Sequence, residues 1–376
     1  MNRSIRFALL MIPLLLAGCG PKDPREINIG FIGPLTGNAI DLGIGPAKAM
    51  ELAVEDYNER READQPKVNL FVEDDAWLGV NAVPKYEKLR QEKGIEILFM
   101  NHTDGTIALQ QKALDDHVTI INALNNDQLL SGMNENTFMI GKKTEEAAQV
   151  VSARIVELGL KKVAGFHVDN SFMTISAKTL EEHLEKQGVQ AKLLLVNIDK
   201  ENYEEELARF KADGCDVLVF FGYKNLGYAM KQARAMGIEA LFFSSTTIRN
   251  KEYSDNSGGA IVGTEFPFFT ANDGNYIIAR QFLERYGQRF GKEPFSAWPA
   301  MQAYDAMNIA LGIIGRETER PRKTKFNDWL RAELHEVNYF QGVCGNLAIM
   351  DDGSSRGIYF SLYVVKGNDG IEKVKR

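Results

Sequence analysis

INIGFIGPLTGNAIDLGIGPAKAMELAVEDYN, residues Ile27–Asn58, is the stretch whose reading decides the fold. Ile27, Ile29, Phe31 and Ile32 make a short apolar run that Gly33-Pro34 ends, a buried strand and its breaker. From Ala47 the period changes. Ala49, Leu52, Ala53 and Tyr57 recur at the spacing of one helical face. Between strand and helix lies a polar loop, Gly33–Pro46, carrying Thr36, Asn38 and Asp41. Open α/β sheets hold their ligands in loops at the carboxyl ends of strands, so Thr36 and Asn38 are expected as rim donors.

Outward from this unit the same alternation continues. Strands are predicted at Val68–Val72, Ile95–Met100 and Val118–Ile121, with helices at Val80–Glu92 and Ile107–Asp115. The loops after the second and third of these strands read Asn101-His102-Thr103-Asp104-Gly105-Thr106 and Asn122-Ala123-Leu124-Asn125-Asn126. Phe138–Thr144 reads as a crossing, with Thr144 as the cap of a helix. A second run of the rhythm follows from Lys162 to Phe243, which suggests a second, similar lobe of parallel sheet covered by helices. Past Arg249 the rhythm breaks. Ala260–Phe266 is a predicted strand, Asn275–Phe290, Ala300–Ile314 and Phe326–Leu334 are predicted helices, and Phe266-Pro267-Phe268-Phe269 is read as hinge packing. The end, Ile349–Lys373, is strand-rich, with hairpin turns at Asp352-Gly353 and Asn368-Asp369-Gly370.

The 376 residues, 44% hydrophobic and 25% charged, describe a globular chain of two or three domains. A net charge of −7 opposes nucleic acid as a partner. Arg3 and Arg6 precede the ten-residue apolar run Phe7–Leu16. A membrane span needs about 20 apolar residues, so the run fits a signal peptide, residues 1–18. Leu16-Ala17-Gly18-Cys19 resembles the bacterial lipoprotein cleavage box, which implies acylation of Cys19 and a tether over residues 19–26. Gly20 after Cys19 favours an outer membrane. Export permits a disulfide between Cys215 and Cys344, but their settings point to two buried free thiols.

Tests for catalysis fail. There is no G-x-S-x-G elbow, and the glycines of Gly43-Ile44-Gly45 and Gly287–Gly291 lack phosphate-loop spacing. The five histidines show no metal spacing, and a lone His102 reads as a hydrogen-bonded structural group. Glu73-Asp74-Asp75 reads as a solvated strand end. No cofactor is indicated and the chain is expected not to be an enzyme.

Taken together, Ile29–Gly37, Ala53–Asn58, Asp74-Asp75, Asp216–Phe220 with Gly222-Tyr223, Gln232–Gly237, Tyr304-Asp305-Ala306, and Gly342, Gly345 and Asp352-Gly353 resemble one family in order and spacing. It is the type I periplasmic solute-binding proteins of the branched-chain amino acid and amide group, receptors of ABC importers. The resemblance implies two Rossmann-like α/β lobes joined by three hinge crossings and closing on a small solute. The expected lobes are residues 27–143 with 249–340, and 144–248 with 341–376. The resemblance also implies a monomer on the periplasmic side of a bacterial membrane. Its partners would be the importer's permease or a sensor ectodomain.

Carried over position by position, the ligand contacts fall on Thr103, Asp104 and Thr106, on Asn125 and Asn126, and on Phe172 and Tyr223 of the second lobe. Trp77, just after a first-lobe strand, stands where close relatives often carry a disulfide-bonded cysteine. Thr246, or its neighbour Thr247, occupies the position of the acid that pairs with an α-ammonium, and Leu42 that of an aromatic. The ligand implied is amino-acid-like, an amide or an amine, and not a standard aliphatic amino acid. Asp104 either faces the cleft, selecting a cationic or amide-bearing solute, or caps the helix that follows. An alternative of another class is a regulatory lipoprotein of the same fold that acts on a cell-wall synthase or sensor kinase through a degenerate cleft.

Overall fold

The computed structural model describes residues 25–37, 39–126, 129–269, 276–358, 360–367 and 370–375. The expected signal peptide, Cys19, Asn38 and most of the Asn368–Gly370 turn lie outside them. The opening unit is strand β1 (Glu26–Gly33), a short turn of 3₁₀ helix at Ile40–Leu42, and helix α1 (Ile44–Arg60). The helix therefore starts three residues before the expected Ala47. Gly43 permits this, because a Cβ there would lie 1.9 Å from the Pro34 carbonyl oxygen.

Five parallel strands form the first sheet, in the order β2 (Lys67–Asp74), β1, β3 (Ile97–Met100), β4 (Thr119–Asn122) and β5 (Thr137–Met139). Alternation along β1 serves two cores. Ile27, Ile29 and Phe31 face one, whereas Ile32 joins Tyr86, Leu89 and Met100 in the other. The second core lies under α2 (Gly79–Lys93) and α3 (Thr103–Asp115). A side chain of the size of Phe31, fully buried, stabilises by roughly 2–3 kcal/mol.

The second sheet has seven strands. The chain enters it through α4 (Thr144–Glu157), β6 (Lys162–Val168), α5 (Ser171–Glu185), β7 (Gln190–Val196), α6 (Glu204–Ala212), β8 (Val217–Phe221), α7 (Asn225–Ala235) and β9 (Leu241–Ser244). Helix α8 (Lys251–Ser257) packs on α7, and β10 (Glu265–Phe269) joins the sheet beside β9. The chain returns to the first lobe through α9 (Ile277–Phe290), α10 (Ala297–Ile314), α11 (Phe326–His335) and a small antiparallel sheet of β11 (Phe340–Gln341), β12 (Asn346–Ile349) and β13 (Ser355–Arg356). It ends in β14 (Phe360–Val365) and β15 (Ile371–Lys373) on the second sheet, in the order β15-β14-β10-β9-β8-β6-β7. The chain thus passes between the two lobes three times.

Two boundaries move. Residues 249–269 go with the second sheet, because β10 pairs with β9 and β14. Residues 341–356 stay with the first, where Ser354 bridges to Met139. Phe266–Phe269 is therefore a sheet strand rather than loose hinge packing, and Ala260–Thr264 is turn. Pro267 is accommodated because β9 pairs only at Glu265, so no ladder bond needs its missing N–H. Thr144 is the first residue of α4, and its N-cap is Lys143. Asp305, buried in α10, accepts from the N–H groups of Val343 (2.7 Å) and Cys344 (2.8 Å). Gly342 is required there, since a Cβ would sit 2.4 Å from that carboxylate. Cys215 and Cys344 are free thiols, the first only half-buried.

Candidate functional site

The loops at the carboxyl ends of the strands of both lobes meet. Helix α3 of the first lobe touches α5 of the second. The Ser171 hydroxyl, in the first turn of α5, donates to Asp104. Asp104 is the second residue of α3, and its N-cap is His102. Of the two readings of Asp104, the cap is not made: the carboxylate lies in the favourable field of the helix start and reaches the other lobe.

Thr103, Thr106, Asn125 and Asn126 come together, mostly to bond one another. The Asn125 amide donates to the Thr103 hydroxyl at 2.9 Å and accepts from Lys142 Nζ at 3.2 Å. Thr106 donates to the His102 carbonyl at 2.8 Å and accepts from Asn122 at 2.9 Å. Asn126 donates to the Ser355 carbonyl at 2.5 Å, while its Oδ1 has no partner. Phe172 turns its face to Lys142 Nζ, 3.8 Å from the ring centre, and Trp298 does so from the other side at 4.6 Å. A buried ammonium between two aromatic faces gains a cation–π attraction of about 2 kcal/mol when desolvated. Lys142 was not foreseen. Its signal was the Gly141-Lys142-Lys143 crossing, a cation placed where the chain changes lobes.

Trp77 is held differently. Ala76 and Trp77 both have left-handed backbones (φ +52° and +62°), rare for side chains larger than glycine. Carboxylates hold the turn. Asp74 accepts from the N–H groups of Leu35 and Ala76 and from the Thr36 hydroxyl. Asp75 accepts from the N–H of Trp77 at 2.9 Å and faces His102 Nδ1 at 3.1 Å. Trp77 stacks on His102 with ring centres 4.3 Å apart and meets Tyr223 of the second lobe edge-on at 6.4 Å. Asp75 is fully buried, which corrects the reading of residues 73–75 as a solvated strand end. Thr36, expected as a rim donor, is occupied by Asp74. His102 is hydrogen-bonded within the first lobe, and the Tyr223 hydroxyl accepts from Asn170 at 3.3 Å.

A third group is not satisfied. Asp41 is 4% exposed, and its Oδ1 has no hydrogen-bond partner. Burial pushes its pKa up to about 7, an effect that the Asn250 side chain partly offsets and Glu252 reinforces. Asn101 donates to the Leu42 carbonyl at 3.2 Å and leaves its Oδ1 unpartnered. The Thr246 hydroxyl is buried and unpartnered, whereas Thr247 donates to the Gly222 carbonyl. Asp41 was noted in the sequence only as part of a loop. Among the described residues no cluster of His, Cys, Asp or Glu is arranged to hold a metal, and no helix is long and apolar enough to cross a membrane.

Comparison with known proteins agrees with this architecture. A model of the periplasmic binding protein family matches residues 26–370. The Leu/Ile/Val-binding protein homolog 3 of Brucella melitensis is 24% identical over 351 residues, covering 92% of each chain. The leucine-binding protein LivK of Thermotoga maritima superposes with a TM-score of 0.82 at 18% identity, over 93% of this chain and 98% of its own. LivJ of Streptococcus pneumoniae, solved with isoleucine, gives 0.80 at 20% identity, over 94% and 100%. Proteins of this family bind solutes outside the cytoplasm for ABC transporters and are not enzymes. The chain belongs to the periplasmic binding protein family and folds as its type I members do, in two α/β lobes around a cleft.

Proposed function

We propose that the protein is a lipid-anchored receptor that closes on one small polar solute, amino-acid-like, an amide or an amine, and delivers it to the membrane subunits of an ABC importer. The observation that carries this reading is the meeting of polar and aromatic side chains across the lobes, Asp104 with Ser171, Lys142 with Phe172, and Trp77 with Tyr223. A solute held by one lobe gains contacts from the other only on closure, and that difference in affinity shifts the population to the closed form. Cys19 is the proposed anchor, on the lipoprotein box and the apolar run before it, with the outer membrane favoured by Gly20. The working form is a monomer.

The test is a thermal-shift screen of amino acids, amides, ureas, polyamines and aromatic acids, with native mass spectrometry for a co-purified solute. A receptor is stabilised by about 2.7 kcal/mol at a hundredfold excess over Kd. A flat response to the whole panel, with capture of a cell-wall synthase or sensor kinase, would replace this reading with the regulatory one.

A further inference from the structure

We propose that the cleft selects solutes carrying a protonated amine, and that Asp41 of the first lobe is the residue that receives it, with Asn101 Oδ1 and the Thr246 hydroxyl completing the pocket for its protons. The inference rests on the receptor reading above and names its solute class. It begins from the buried polar atoms that protein groups leave unpaired. Asp41 Oδ1, Asn101 Oδ1 and Thr246 Oγ1 all belong to residues less than 5% exposed, and none has a hydrogen-bond partner. Asn101 Oδ1 accepts only, the Asp41 carboxyl does so once ionised, and the hydroxyl can also accept. An unsatisfied buried acceptor costs about 1–3 kcal/mol, so three of them favour a solute rich in donors.

Their placement is at the seam between the lobes. Asp41 and Asn101 meet at Leu42, since the Asn101 amide donates to the Leu42 carbonyl. The groups that act on the Asp41 carboxyl from the second lobe are Asn250 and Glu252. Tyr223, which follows β8, feels the Asp41 charge. Asn250 is itself fixed, its side chain accepting from the Glu252 N–H at the start of α8. Thr246 follows β9, in the turn that leads to Asn250. The carboxylate of Asp41 and the hydroxyl of Thr246 therefore belong to opposite lobes. A primary ammonium has three donors and no acceptor, which matches two carbonyl-type oxygens and a hydroxyl. A carboxylate could accept only from the Thr246 hydroxyl and would set acceptor against acceptor at Asp41 and Asn101, and an uncharged apolar solute would leave all three unpaired. Asp104 fits less well as the receiving acid, because its carboxylate accepts from Ser171 and is more than a third exposed, whereas Asp41 Oδ1 is buried without a partner.

The experiment is calorimetric titration of matched pairs: L-leucine against its 2-hydroxy analogue, and 1,4-diaminobutane and agmatine against 1,4-butanediol. Wild type, Asp41→Asn and Thr246→Val are compared, with thermal unfolding as the control for folding. Binding of an amine, no binding of its amine-free partner, and a loss of about 10- to 100-fold in Asp41→Asn support the inference, the size expected for a hydrogen bond to a charged group. Thr246→Val should weaken the same amine several-fold. If amine-free members bind, and bind Asp41→Asn as well as wild type, the amine inference is overturned and the receptor reading stands. If no member of the panel, nor any other solute of the wider screen, binds the folded wild type, both are overturned.

Discussion

The wall built by residues 102–126 lies in the first lobe and the patch around Asp41 draws on both lobes through Thr246, and the two treat their polar groups differently. In the wall, Thr103, Thr106, Asn122 and Asn125 bond to one another and to Lys142, and Asp75 bonds to His102 and Trp77. In the patch, Asp41, Asn101 and Thr246 each keep an atom open. A wall whose polar groups mostly bond one another, Asn126 Oδ1 and the neighbouring Trp77 Nε1 excepted, stabilises the lobe with no solute present. An unsatisfied patch costs stability until something binds, and that cost becomes specificity, because only a solute with matching donors removes it. On the proposal above, the wall is scaffold and the patch is the selective element.

This contrast can be broken from either side. The largest effect concerns pH. The Asp41 pKa is raised by burial to about 7 from an ordinary 3.8, and that of Asp305 likewise, by burial. In that window the unfolded chain gives up the proton first, so stability falls as pH rises from about 4 to 7, by up to roughly 4 kcal/mol for each group. Asp41→Asn should remove one such contribution and leave the ligand-free protein more stable at pH 7.5 than wild type. Urea unfolding across pH checks it. An unchanged slope would mean that Asp41 is not the strained carboxyl.

Next in size is a change to the scaffold. Asp75→Ala leaves the His102 ring and the Trp77 N–H buried without their acceptor, and should cost about 3 kcal/mol in denaturant unfolding. A smaller effect comes from the turn itself. Ala76→Gly relieves a left-handed residue and should raise stability by about 1 kcal/mol while leaving Trp77 in place. The smallest is Thr246→Val. Its hydroxyl already lacks a partner, so ligand-free stability should stay within about 0.5 kcal/mol of wild type or rise, although solute binding weakens. A large loss of stability in Thr246→Val would show that the hydroxyl is bonded and that the patch is part of the scaffold.

Much of the fold was legible because apolar period changes report burial directly. Ile27–Ile32, Val217–Phe221 and the helices between strands appear close to where their periods put them, although α1 starts at Ile44 rather than Ala47 and α3 at Thr103 rather than Ile107. What failed was long-range pairing. Nothing local in Glu265–Phe269 tells that it pairs with both β9 and β14, and Pro267 argues against a strand. The site was legible as a set of loops but not as a set of roles. Thr106 and Asn125 were carried over as ligand contacts by position in the family pattern, which does not tell whether a hydroxyl or amide is already bonded; that depends on the folded neighbours, some far along the chain, as Thr119 on Asn327 illustrates. Asp75 looked solvated beside two other acids, until the fold put His102 against it. Asp41 carried no signal of its own, because the burial of a loop carboxyl depends on residues far along the chain, Asn250 and Glu252 among those near it.

The most direct test of a cleft whose selectivity resides in one buried carboxyl is a proton count. The amine that gives the largest thermal shift is titrated calorimetrically at pH 6 in buffers of different ionisation enthalpy. With a pKa near 7, Asp41 is mostly protonated there, and pairing with an ammonium ionises it. Wild type should therefore release about one proton per amine bound, and Asp41→Asn should release none. Equal proton counts in the two proteins, with equal affinity, would contradict the account.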